Sequence, residues 1–227
     1  MKRSELNQIM RDCIEFLKEN KFHLPPFVTW SMDEWKMKNS EYDEIKNNML
    51  GWDITDFGSG DFNKIGLLMI TLRNGNYHNA KYQKSYAEKL LISEEGQVTP
   101  YHFHWKKMED IINRGGGTLV MECCNSGPKG EMLDTPVTVN IDGREFVVPA
   151  GERIELRSGE SITLPTGQYH KFWAEGGKCL IVEVSCTNDD TIDNRFHEPI
   201  GRFPAIEEDE DILYPLFSEY PNMPAKG

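Results

Sequence analysis

Residues 96 to 115 read GQVTPYHFHWKKMEDIINRG. His102 and His104 are two apart, and Glu109 follows five residues after the second histidine. On an extended strand alternate side chains leave from the same face, so the two imidazoles can converge on one point. Neutral imidazole and carboxylate are ordinary ligands for a divalent transition metal. This stretch therefore reads as a strand that carries half of a metal site.

Working outward, residues 159 to 170 read GESITLPTGQYH. The first stretch has the form Gly96, five residues, His102-x-His104, four residues, Glu109, five residues, Gly115. The second has Gly159, five residues, Pro165-x-Gly167, two residues, His170. Together they resemble the two motifs of the cupin superfamily. The resemblance implies an all-β, antiparallel jelly-roll barrel with His102, His104, Glu109 and His170 as metal ligands. His23, His78 and His197 fall outside both motifs. Three imidazoles and one carboxylate leave a divalent ion with a local charge of about +1, able to polarise a carbonyl. Ligand type leaves the metal open among iron, manganese, zinc, cobalt and nickel.

The remaining pattern agrees with a barrel. From Ile65 onward many short apolar runs are separated by Gly and Pro turns, at Asn74-Gly75, Glu95-Gly96, Asp142-Gly143 and Gly176-Gly177. Such spacing predicts antiparallel strands joined by hairpins. Residues 4–19 carry helical apolar spacing with Ser4 as N-cap, and Ser31-Met-Asp-Glu34 is a capping box. The expected organisation is one cupin domain over 1–227. Residues 1–60 form a helical extension packed on the barrel, and 187–227 a C-terminal segment. That segment holds Asp189-Asp190 and the acidic run Glu207–Asp211. It reads either as a solvated face or as a flap that lends a carboxylate to the barrel mouth.

Composition narrows the function. A net charge of -12 speaks against nucleic acid and against an anionic membrane surface, since both need clustered Lys and Arg. No apolar run approaches a membrane span, and the first residues lack the apolar centre of a signal peptide. The five cysteines, two of them adjacent and none in CxxC spacing, read as reduced thiols in a cytoplasmic protein.

If Glu95-Gly96 close a two-residue hairpin, pairing sets Lys89 opposite His102; a three-residue turn sets Glu88 there instead. Either way an ionisable side chain faces the histidines.

The stretch AEKLLISEEGQVTPYHFHWKKMEDIINRGGGTLV, together with LPTGQYHKFWA, LPPFVTWSMDEW and the tail GRFPAIEEDE (201–210), is similar to the cupin-type D-lyxose isomerase family. That resemblance implies an aldose–ketose isomerase with one Mn2+ per chain. It would convert D-lyxose to D-xylulose and D-mannose to D-fructose by proton transfer through an enediol. By motif position Lys89 and Glu207 are the acid–base residues, with Glu208 as neighbour to Glu207, and Lys107 holds a sugar hydroxyl. Trp105, Tyr169 and Trp173 are aromatics suited to a sugar face. Base rates favour a homodimer. An iron cupin dioxygenase and a non-catalytic sugar-binding cupin are the rival readings. A phosphosugar isomerase is disfavoured by the acidic balance.

Overall fold

The computed structural model describes residues 1–201 and 204–221. Arg202 and Phe203 of the family-like tail, and residues 222–227 of the C-terminal segment, lie outside the described residues. The chain opens on α1 (Arg3–Glu19), which buries Leu6, Met10, Cys13 and Leu17 as one stripe. The capping box forms as expected at α2 (Met32–Lys36), where the Glu34 carboxylate accepts the Ser31 N–H at 2.8 Å. A short α3 (Asp43–Asn47) follows.

Twelve strands are found among the described residues. They are β1 (Gly51–Thr55), β2 (Leu67–Arg73), β3 (Tyr86–Ser93), β4 (Thr99–His104), β5 (Glu109–Ser126), β6 (Met132–Leu133), β7 (Val137–Ile141), β8 (Arg144–Val148), β9 (Arg153–Leu156), β10 (Ser161–Leu164), β11 (Tyr169–Cys186) and β12 (Asn194–Phe196). All pairings between them are antiparallel, in the order β1-β2-β3-β11-β5-β10-β7-β8. β4 is bonded to β11 and to β12, while β6 and β9 add to β5.

Two expected hairpins turn out differently. Gly176-Gly177 does not end a strand but bends β11 in its middle, at φ of 71° and 128°. β5 slips register beside it: Glu175 pairs with Thr118, and Cys179 with Gly116. Gly176 and Gly177 supply the positive φ angles of this bend, and across from them a Cβ on Gly117 would strike the backbone oxygens of Gly177 and Glu175. Each long strand thereby serves two walls of the barrel. Likewise Asn74-Gly75 is no tight turn. The Asn74 amide is buried and donates to the Asn188 carbonyl at 2.8 Å, and residues 74–85 run outward before β3 begins. Asp142-Gly143 does join β7 to β8.

Side-chain alternation builds two cores. Leu68, Ile70, Leu90, Ile92, Leu180 and Val182 face outward beneath α1 and pack with Trp35, Trp52 and Phe217. Met69, Leu91, Ile111, Met121, Phe172 and Ile181 face inward and fill the barrel. β1 lies within the region read as helical extension. All five of its residues are buried, so the polar–apolar alternation that announces a strand is missing there.

The acidic run Glu207–Asp211 docks on the start of α1. Asp209 accepts the Ser4 N–H at 2.8 Å and the Ser4 hydroxyl at 2.7 Å, and Glu208 pairs with the buried Arg3 at 2.8 Å. Negative charge there complements the helix dipole. Lys2, rather than Ser4, is the N-cap, because Ser4 is engaged with Asp209.

Candidate active site

His102 and His104 project from β4 into one end of the barrel. β11 sets His170 opposite His102, with ring centroids 4.2 Å apart. The approach to β11 explains the Pro-x-Gly spacing. The chain turns through Pro165–Gln168 with Gly167 at φ 76°, and the Gly167 N–H binds the His104 carbonyl at 3.0 Å. That contact fixes where His170 emerges. Ligand atoms of the three histidines lie within 4.8 Å of one another. Glu109, first residue of β5, places Oε1 3.2 Å from His104 Nε2 and 3.3 Å from His170 Nε2.

The group is prepared for a cation. A carbonyl can only accept, so His102 Nδ1 donates to Pro100 O at 2.8 Å and His170 Nδ1 to Gln168 O at 3.1 Å. Each Nε2 is left with its lone pair directed inward. Burial, reinforced by the neighbouring histidines, pushes His102 well below the usual imidazole range. Burial likewise lowers His170 to about 4, against the pull of Glu109. For Glu109, burial opposes ionisation, but Lys107, His104 and His170 together hold its carboxyl well below the usual range. Adjacent ligands of one ion with bonds near 2.1 Å stand about 3 Å apart. The spacing from Glu109 Oε1 to the two imidazoles meets that test. Neutral imidazoles and an ionised carboxylate, buried together, fit a divalent metal.

Beside this group runs a chain of paired charges. Lys107 Nζ lies 2.7 Å from Glu109 Oε2 and 2.8 Å from Glu183 Oε1. Lys89 Nζ lies 3.4 Å from the same Glu183 oxygen and 2.6 Å from Asp190 Oδ2. Lys89, Lys107, Glu109 and Glu183 are all buried. Burial works against the Lys107 ammonium, yet Glu109, Glu183 and Asp190 outweigh it and hold the proton well above the ordinary lysine range. Lys107 is therefore a fixed cation and hydrogen-bond donor. Its backbone is held as well, since Asp193 accepts from Lys106 N at 2.9 Å and Lys107 N at 3.0 Å.

Lys89 faces the cavity, though not through the expected register. β3 and β4 do not pair with each other. Lys89 stands opposite Glu183 on β11 and Thr71 on β2, while Phe196 and His170 flank His102. The Glu95-Gly96 turn instead hands its Gly96 N–H to Ala174. Glu88 points outward to Arg73 at 3.1 Å. Glu207 does not join the group: its side chain is exposed and its main chain bonds to Arg3 and Met1 at the start of α1. Glu208 is equally occupied, by Arg3. The carboxylates present are Glu183, unforeseen, and Asp190 from the C-terminal segment.

The cavity is partly open to solvent, and its empty space with that open part included is about 460 Å³. Its aromatic wall is Phe57, Phe172 and Phe196, not the expected Trp105, Tyr169 and Trp173. Alternation decides this: with His170 and Phe172 turned inward, Tyr169 and Trp173 must turn outward. Tyr169 binds the Gly130 carbonyl at 2.7 Å.

Residues 1–220 match the D-lyxose isomerase family. The chain belongs to that family. A D-lyxose/D-mannose isomerase of Escherichia coli O157:H7 is 44% identical over 223 residues, 97% of this chain and 98% of that protein. One of Serratia proteamaculans is 45% identical over the same shares. Among solved structures, an L-ribose isomerase of Cellulomonas parahominis superposes with a TM-score of 0.59 at 15% identity, covering 91% of this chain and 98% of that one. An Acinetobacter sp. DL28 L-ribose isomerase gives 0.60 at 15% identity, with the same coverage. These two speak to the fold, which is cupin-type. As a D-lyxose isomerase family member the protein is a sugar isomerase, which sets aside the dioxygenase and the non-catalytic readings. No described helix is long and apolar enough to cross a membrane.

Proposed function

We propose that this family member interconverts D-lyxose with D-xylulose, and D-mannose with D-fructose, by proton transfer through an enediol with the aid of one Mn2+. The observation that carries the reading is the junction at Glu109. One of its oxygens faces the histidines, and the other faces Lys107, which is linked through Glu183 to Lys89. His102, His104, Glu109 and His170 would hold the ion, which when bound supplies a Lewis acid for a sugar carbonyl.

The rest falls to the protein's own groups. Moving a carbonyl between C1 and C2 requires a base for the carbon-bound hydrogen and a group that moves the hydroxyl proton. Glu183 takes the first role, in place of Glu207, because its carboxylate stands in the cavity between two ammonium groups. Lys89, oriented by Asp190, takes the second. Lys107 keeps its proton and steadies negative charge on a substrate oxygen. Phe57, Phe172 and Phe196 wall the cavity and limit water.

The direct test is to strip divalent metals, restore Mn2+, and screen aldoses for ketose formation. Turnover of D-lyxose and D-mannose is expected. No turnover of either with any divalent metal would overturn the reading.

A further inference from the structure

Four polar atoms of residues lining the cavity are buried without a hydrogen bond: His104 Nδ1 and Glu109 Oε2, within the histidine–carboxylate group, and Thr99 Oγ1 and Asn194 Oδ1, outside it. The orientation of the Asn194 amide is set, because Nδ2 donates to the Asp190 carbonyl at 3.2 Å. Oδ1 is therefore an acceptor awaiting a donor. Register places Asn194 opposite His104, so its side chain shares the face of the metal ligands. Thr99 begins β4 and His104 ends it, which puts the unsatisfied atoms of Thr99 and Asn194 at opposite ends of the histidine-bearing strand. Buried polar atoms without partners are rare in folded proteins. Two of them outside the histidine–carboxylate group, at either end of the histidine-bearing strand, suit a ligand that brings hydroxyl groups.

We propose that Asn194 and Thr99 are specificity-determining residues, each taking one hydroxyl of the aldose beyond the reacting C1–C2 pair. This rests on the isomerase reading above. D-Lyxose and D-mannose share configuration at C2, C3 and C4, and differ in the extra carbon of the hexose. A site that turns over both has the C3 and C4 hydroxyls as common handles. Two anchors separated along β4 suit two hydroxyls, one each.

The experiment measures kcat and KM of the Mn2+-loaded wild type, Asn194→Leu and Thr99→Val on D-mannose and its 3-deoxy and 4-deoxy derivatives. Mn2+ affinity is measured separately by titration. Each substitution should raise KM for D-mannose roughly ten-fold while changing kcat little, as for a lost hydroxyl contact. Mn2+ affinity should stay at the wild-type value. The loss from Asn194→Leu should vanish on one deoxy sugar, and that from Thr99→Val on the other. Thr99→Ser, which keeps the hydroxyl, should behave as wild type, and Asn194→Ala carries the test if the leucine variant does not fold. An equal loss on all three sugars, or a loss of Mn2+ affinity, would overturn the proposal and leave the isomerase reading standing. A wild type inactive on every sugar would instead overturn that reading, and this proposal with it.

Discussion

Lys107 Nζ lies 2.7 Å from Glu109 Oε2, the oxygen that does not face the histidines. The carboxylate proposed as the fourth metal ligand is thus also the partner of a buried ammonium. Removing that ammonium leaves two buried carboxylates, Glu109 and Glu183, short of a counter-charge. Loss of one partner from such a pair costs about 3–5 kcal/mol. Lys107→Met should lower the unfolding free energy of the metal-free protein by that order, and added Mn2+ should restore part of it. Urea melts with and without the ion read both effects.

The assignment of Glu183 and Lys89 separates the two carboxylate readings. Glu183→Gln and Lys89→Met should each keep Mn2+ bound yet lose roughly 10²–10⁴-fold in kcat. Glu207→Gln, at an exposed position beside α1, should stay within about two-fold of wild type. Steady-state rates paired with metal content decide between them. A large loss at Glu207 with none at Glu183 would return the role to the tail.

The pattern of what was legible follows from local and non-local causes. The grouping of His102, His104, Glu109 and His170 is legible in two short motifs, because local spacing along β4, β5 and β11 carries it. The hairpin argument left Lys89 and Glu88 open, and the fold does not obey it; motif position is what singles out Lys89, which does face the cavity. A turn between two strands does not oblige them to pair, and β3 and β4 each pair with the distant β11. Glu183 had a signal of its own. It is the one charged residue in the apolar run CLIVEVSC of residues 179–186, and a charge inside a buried strand needs a reason. The acidic run misled because charge alone does not say what it faces; Arg3, Ser4 and Asn7 lie more than 200 residues away in sequence.

The same tail contact predicts a stability effect remote from the site. Arg3 is fully buried between Glu208 and Glu219. Arg3→Met should cost about 1–3 kcal/mol, less than a wholly buried pair because Glu208 is largely exposed. Thermal melts measure this, and KM for the aldose should be unaffected.

Acid should act through the histidines with a defined sign. His170 titrates near 4 in the folded protein against an ordinary value of 6.5, and His102 is also lowered. The unfolded chain therefore binds more protons in this window, and stability falls as pH drops from about 6.5 towards 4. For His170 alone the difference is on the order of 3 kcal/mol. Metal-free protein should lose stability between pH 7 and pH 4.5. A flat profile over that range would contradict neutral, buried imidazoles.

The claim on which the account turns is that the hydrogen travels as a proton on a protein base, and isotope incorporation tests it most directly. D-Mannose is converted in D2O by the Mn2+-loaded enzyme, and the reaction is repeated from D-fructose, with product sampled at early times. Exchange of the Glu183 proton with solvent between the two transfers should place deuterium on the carbon that receives the hydrogen, in part if the bound sugar slows exchange. Complete retention of the substrate hydrogen in both directions, with no solvent label at any time, would contradict the enediol route.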